Sequence, residues 1–127
     1  SPFETIVVPD IKGGGKRTAE VLKELEFEAF RKHFQPGDWM VLLDEKGKRY
    51  TSRGFAQQMQ KWMNAGPKRL VFIVGGAFGF SPKMYEKANG LLSMSEMTTS
   101  HQLIRVVFLE QIYRAFTILN NEPYHND

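Results

Sequence analysis

Apolar and polar positions run along this chain in blocks whose period changes. FETIVV (3–8) has strand composition and stops at Pro9. Thr18 can cap a helix reaching about residue 34, because Leu22, Leu25, Ala29 and Phe30 recur at helical spacing. Gln35-Pro36-Gly37-Asp38 ends it. WMVLLD (39–44) shows no clean alternation, the mark of a strand buried on both faces. Residues 45–50 read as a polar turn. Ser52 then caps a second helix with Phe55, Met59, Trp62 and Met63 on one stripe, which reads as core rather than as a cofactor box. Gly66-Pro67 breaks the chain before a strand at 70–74. Ser81 as cap and Pro82 at the first helical position open a short helix that stops at Asn89-Gly90. A brief strand at 91–94, a polar loop at 95–100 and a helix from about His101 to Leu119 follow, before the tail NNEPYHND.

Strands alternating with helices predict βαβ units and a parallel sheet covered by helices, an α/β fold. In such sheets ligands bind at the carboxyl ends of the strands, and Asp44 and Gly75 fall at such ends. The stretch VFIVGGAFGFS (71–81) places Gly75, Gly76 and Gly79 where a strand needs none. Bare backbone there serves either a ligand lying against the main chain or a tight turn. GGxxG is not the dinucleotide fingerprint GxGxxG, so a nucleotide-dependent oxidoreductase fares worst. DIKGGGKR (10–17) lacks the phosphate-loop spacing and reads as a flexible basic loop.

The last helix is apolar nearly all round, through Leu103, Ile104, Val106, Val107, Phe108, Leu109, Ile112, Tyr113 and Phe116. Such a helix needs cover on more than one side, and in a small domain the simplest second cover is another copy of the chain. Glu110 and Arg114 are spaced as an ion pair, and His101 and Arg105 share one side.

At 127 residues the chain makes one domain, with 42% hydrophobic and 24% charged residues. No apolar run reaches the about 18 residues needed to span a bilayer, and no signal peptide precedes the first strand. With no cysteine, disulfides, cysteine-ligated zinc and cysteine nucleophiles are excluded, which suits the cytoplasm. Three scattered histidines with few convergent acids point to no metal. The net charge of +3 is uneven: Lys46 to Lys87 holds nine Lys/Arg against Glu86 alone, a segment of +8 beside a remainder of −5. That segment is either a phosphate-backbone footprint or an ordinary solvated surface.

The segments LLDEKGK (42–48), FIVGGAFGFS (72–81) and LSMSEMTTSHQLIRVVFLEQIYRAFTILNNEPYH (92–125) together resemble the ribosomal RNA large subunit methyltransferase H family, small SPOUT-class enzymes. The likeness covers nearly the whole chain from Phe3 onward. It implies a single SPOUT domain over 1–127, with a deep trefoil knot in its C-terminal part. It implies a cytoplasmic homodimer that uses S-adenosyl-L-methionine to methylate N3 of a pseudouridine in 23S rRNA, with the assembled 70S ribosome as substrate.

By position, the resemblance assigns Leu43, Gly75, Met94, Ser95, Glu96, Met97, Thr98 and Thr99 to the cofactor. It assigns Tyr124 and His125 to catalysis, and His101 and Arg105 to the dimer-facing helix. Lys12, Lys16, Arg17 and Arg105 are the expected RNA contacts. Methyl transfer from a sulfonium is an in-line displacement, so an enzyme must chiefly hold two reactants in line. N3 of the acceptor carries a proton near neutral pH, which gives a base work to do; His125 takes that role or positions the acceptor, and Tyr124 stacks on it or hydrogen-bonds to it.

The chain also departs from the family pattern. The strand and helix that family members carry before the equivalent of Phe3 are missing, and the chain starts at Ser1, which suggests a trimmed N-terminus. Phe78 stands where an acid is common, Glu96 sits in a loop that is usually small or apolar, Ser100 replaces a proline and Asn126 a basic residue. These departures leave a second expectation open, a non-catalytic RNA- or ribosome-binding module with the same fold.

Overall fold

A computed structural model describes residues 8, 18–76, 78–94 and 101–120, the side chains of 101–103 excepted. Three of its helices begin where a hydroxyl accepts an amide that has no partner inside the helix. Thr18 accepts from Val21 N–H at 3.2 Å and starts α1 (Ala19–Arg31). Ser81 accepts from Met84 N–H at 3.3 Å and starts α3 (Pro82–Lys87), with proline in the first turn as expected. The cap of α2 (Ser52–Asn64) is Thr51 rather than Ser52, accepting from Gly54 N–H at 3.0 Å. Ser52 is instead the first helical residue and donates its hydroxyl to Gln111 Oε1 at 3.0 Å. The last helix, α4, spans His101–Leu119.

Three strands, β1 (Asp38–Arg49), β2 (Arg69–Val74) and β3 (Gly90–Ser93), form one sheet in the order β2-β1-β3. Both pairings of the central strand are parallel, as the alternation of strands and helices predicts. Along β1 the side chains divide by parity. Val41 joins Phe55, Met59, Trp62, Leu92, Phe108 and Ile112 beneath α2 and α4. Met40 and Leu42 join Phe27, Ile73, Phe80 and Met84 beneath α1 and α3. Both faces of β1 are therefore apolar, which is why its sequence shows no alternation. Phe72 anchors the first layer, with ring centroids 5.0 Å from Phe108, 6.0 Å from Trp62 and 6.1 Å from Phe55.

β1 is longer than the 39–44 read from sequence. Leu43 lies opposite Leu92; the chain then loops out through residues 44–47 and returns with Lys48 again opposite Leu92 and Arg49 opposite Ser93. Residues read as a turn are thus an excursion followed by a second contact with β3. Gly47 makes the return possible. A Cβ there would stand 2.6 Å from Leu92 N and 2.7 Å from Leu91 C, distances no side chain tolerates against backbone. Asn89, expected only to stop α3, extends β3 with its side chain: its N–H donates to Met40 O at 2.7 Å, and its Oδ1 accepts from Met40 N–H at 2.8 Å.

On α4 the buried residues Phe108, Ile112 and Ala115 face the sheet. Val106, Leu109 and Tyr113 lie 64%, 42% and 56% exposed, so one chain covers one side of this apolar helix. Arg114 binds Glu110 Oε1 through Nη2 at 2.6 Å, the pair that the sequence spacing predicts. Among the described residues no helix is long and apolar enough to cross a membrane. Residues 3–7 of the expected first strand and the loop at 95–100 lie outside the described residues.

Candidate functional site

The carboxyl ends of the three strands meet on one rung. Leu43 is opposite Val74 on one side and Leu92 on the other. Gly75 is one residue past that rung and Met94 two. Three residues distant in sequence and assigned to one cofactor therefore emerge at the same end of the sheet. Ser95, Glu96, Met97, Thr98 and Thr99 lie outside the described residues, as do Lys12, Lys16, Arg17, Tyr124 and His125. Arg105 is exposed on α4, and the side chain of His101 is not described.

The glycine run has partners within the chain. A Cβ on Gly75 would meet the Phe80 ring at 2.8 Å, so that ring fills the space a side chain would take. Gly76 N–H donates to Glu26 Oε1 at 3.0 Å, and a Cβ there would come within 2.5 Å of Oε2. Gly79 adopts φ +81°, a left-handed conformation that favours glycine. The side-chain face of this turn is held by Phe80 and by Glu26 of α1.

Beside it, the excursion after Leu43 is held just as closely. The Tyr85 hydroxyl of α3 donates to Asp44 Oδ2, and Lys46 N–H donates to Asp44 Oδ1 at 2.8 Å. Lys46 Nζ sits 5.2 Å from the centre of the Tyr85 ring. Burial, reinforced by the Asp44 carboxylate, pushes the Tyr85 phenol up to about 12, so it stays a donor at ordinary pH.

On the opposite face of the sheet, a cavity of about 310 Å³ opens between β3, the start of α2 and α4. Tyr50, Ser52, Ser93, Met94, Val107 and Gln111 line it. The Gln111 amide is fixed from both sides, accepting from Ser52 and donating through Nε2 to Glu110 Oε2 at 2.9 Å. The sequence pointed to no functional role for Tyr50, Tyr85 or Gln111, and to Ser52 only as a helix cap. Gln111 lies in the run EQIYRA within the segment 92–125 that carries the family resemblance, which was the available signal.

The cation-rich segment does not form one surface. Lys46, Lys48 and Arg49 belong to the second half of β1 and Arg53 to the first turn of α2, with Lys48 Nζ 5.4 Å from the centre of the Tyr50 ring. Lys68 and Arg69 lie at the amino end of the sheet, where Arg69 binds Asp38 Oδ2 at 2.7 Å. Lys83 pairs with Glu24 at 3.2 Å. Among the described residues, no group of three His, Asp or Glu is disposed to hold a metal.

Comparison with known proteins bears directly on this geometry. A family profile described as "Predicted SPOUT methyltransferase" matches residues 1–125. The chain is 55% identical over 126 residues to "Ribosomal RNA large subunit methyltransferase H" of Parabacteroides distasonis, covering 99% of this chain and 80% of that protein. It is 51% identical over 125 residues to the protein of the same name from Bacteroides thetaiotaomicron, covering 98% and 80%. The Flavobacterium johnsoniae protein, also of that name, is 48% identical over 124 residues, covering 98% and 79%. With strand ends, glycine turn and C-terminal helix arranged as described, the chain belongs to the ribosomal RNA large subunit methyltransferase H family of SPOUT methyltransferases.

Proposed function

We propose that this chain methylates N3 of a pseudouridine in 23S rRNA on the assembled ribosome, using S-adenosyl-L-methionine. The observation that carries the reading is the meeting of Leu43, Gly75 and Met94 at the carboxyl end of a parallel sheet in a member of this family. The bound cofactor supplies a methyl group on a positively charged sulfur, open to attack from the side opposite that sulfur. Leu43 provides an apolar surface for the adenine, while Gly75 and residues 94–99 offer main-chain partners to its polar edge. The residues fit such a group. Of the assigned residues Met94 also lines the cavity of about 310 Å³, whose Tyr50 ring and fixed Gln111 amide offer a stacking surface and a polar contact; Leu43 and Gly75 do not line it.

His125 takes the N3 proton or orients the acceptor, and Tyr124 stacks on the base. Lys12, Lys16, Arg17 and Arg105 meet rRNA phosphates, joined by Lys48 and Arg53 at the carboxyl end of the sheet. The C-terminal part is knotted around the cofactor. A second copy of the chain covers Val106, Leu109 and Tyr113, which positions of spacing three and four put on one face of α4. The enzyme works in the cytoplasm, alongside its ribosomal substrate.

The test is methyl transfer from labelled cofactor to 70S ribosomes lacking the modification, compared with isolated subunits, with the modified nucleotide mapped. Labelling of intact ribosomes at a pseudouridine supports the reading; no calorimetric binding of S-adenosylhomocysteine at millimolar concentration overturns it. Sedimentation of Leu109→Glu at half the wild-type mass is the expected outcome for the dimer.

One feature favours a second reading, a ribosome-docking module without activity. Phe78 is 57% exposed at the tip of the glycine turn, an apolar side chain offered to solvent beside the cofactor position. Ribosome binding without methyl incorporation would select that reading.

A further inference from the structure

We propose that Tyr85 is a positioning residue that ties the two cofactor-bearing strand ends, at Leu43 and Gly75, to one another. The inference rests on the cofactor reading above. Tyr85 sits on neither strand, yet it reaches the loops that leave both of them. Its hydroxyl donates to Asp44, the residue immediately after Leu43. Its ring packs edge-on against Phe80, with centroids 6.1 Å apart and planes at 85°. Phe80 in turn fills the space that a Gly75 side chain would occupy.

A single side chain thus spans from the excursion at 44–47 to the glycine turn. Lys46 completes the clasp, its amide on Asp44 Oδ1 and its ammonium over the Tyr85 ring. Without the hydroxyl, the ring still holds Phe80 and the glycine turn, but the excursion loses its anchor to α3. Leu43 then samples positions displaced from the adenine, and a cost appears in cofactor binding beyond any change in global stability. A site held to within fractions of an ångström by its supporting side chains is sensitive to such a loss.

The experiment uses the full chain and a double-mutant cycle. Tyr85→Phe keeps the ring and removes the donor; Asp44→Ala removes the acceptor; Asp44→Asn keeps an acceptor oxygen. Calorimetry with S-adenosylhomocysteine should show affinity weakened about tenfold in Tyr85→Phe and in Asp44→Ala, about the same in the double variant, and within about twofold of wild type in Asp44→Asn. With ribosomes, KM for the cofactor rises in step while kcat holds. Amide exchange at Lys46 accelerates in Tyr85→Phe, a readout independent of any ligand.

Wild-type affinity in Tyr85→Phe, additive losses in the double variant, or unchanged exchange at Lys46 would each overturn the tether. So would a lowered urea midpoint with cofactor affinity intact, the signature of a merely structural contact. Failure of the wild-type protein itself to bind S-adenosylhomocysteine overturns the methyltransferase reading instead, which keeps the two outcomes distinct.

Discussion

The two ends of the sheet are both tied down, but in different ways. At the amino end the ties run from strand to strand. The Asp38 carboxylate, 2% exposed, accepts from Arg69 Nε at 2.8 Å, Arg69 Nη2 at 2.7 Å and Gln35 N–H at 2.9 Å. Arg69 Nη2 also donates to His33 O at 2.8 Å, and Asp38 and Arg69 are themselves register partners. Asp38, Arg69, Gln35 and His33 satisfy one another there. At the carboxyl end the ties run from strand to loop or helix: Tyr85 to Asp44, Glu26 to Gly76, and Gly47 against the backbone of β3. A closed end fixes the strand register, and the loops at the other end can then be shaped for binding. Placement of the residues proposed to meet the cofactor follows from that division.

The largest effect that would sharpen this contrast is at Gly47. Gly47→Ala forces a Cβ into the main chain of Leu91 and Leu92, and about 3 kcal/mol of stability should be lost in urea unfolding. A loss below about 0.5 kcal/mol would mean that the excursion shifts freely, and the carboxyl end would not be tied as described. Next comes the amino end. Asp38→Ala leaves Arg69 without its buried partner, a cost of about 2 kcal/mol, with cofactor affinity unchanged because the rung at Leu43 is remote.

The pH dependence separates the ends further. The hydrogen bonds from Arg69 hold the Asp38 carboxyl below its usual 3.8, so its contribution is complete above that pH and fades as the pH falls through the lower folded value. The acid limb of the wild-type stability curve should flatten in Asp38→Ala. Tyr85 behaves in the opposite sense. Its folded value is raised from 10.0 to about 12, so its contribution is complete below pH 10 and disappears between those values, a limb that Tyr85→Phe should lack. The smallest effect belongs to Trp39, whose buried indole N–H has no partner among the described residues. Trp39→Phe removes that unmet donor along with some apolar contact, and stability should move by no more than about 1 kcal/mol. A larger loss would mean that the amino end depends on the indole itself.

Local signals carried much of the fold. The caps Thr18 and Ser81 and the stripe Phe55, Met59 and Trp62 depend on residues three or four apart, and each lies where the spacing puts it. Two adjacent hydroxyls, Thr51 and Ser52, could each serve as a cap; packing against α4 decided between them, because Ser52 is engaged with Gln111. The second half of β1 was illegible, since its strand character depends on pairing with β3 more than forty residues later. At the site, strand order alone brings Leu43 and Gly75 to one end of the sheet. What the glycines make room for, Phe80 and Glu26, and what holds Asp44, are tertiary contacts with no periodic trace.

The order β2-β1-β3 puts the first of these strands in the middle, with one neighbour supplied soon after it and the other much later. While the chain is being made, the unit of β1, α2 and β2 can assemble as soon as Val74 is free. The other flank of β1 nevertheless presents open amides and carbonyls until Asn89 to Ser93 emerge, and α4 arrives later still. A polypeptide interrupted before residue 89 is therefore not a smaller version of this domain but a strand-edged, adhesive species, and half-made copies should call on chaperones or proteases rather than accumulate.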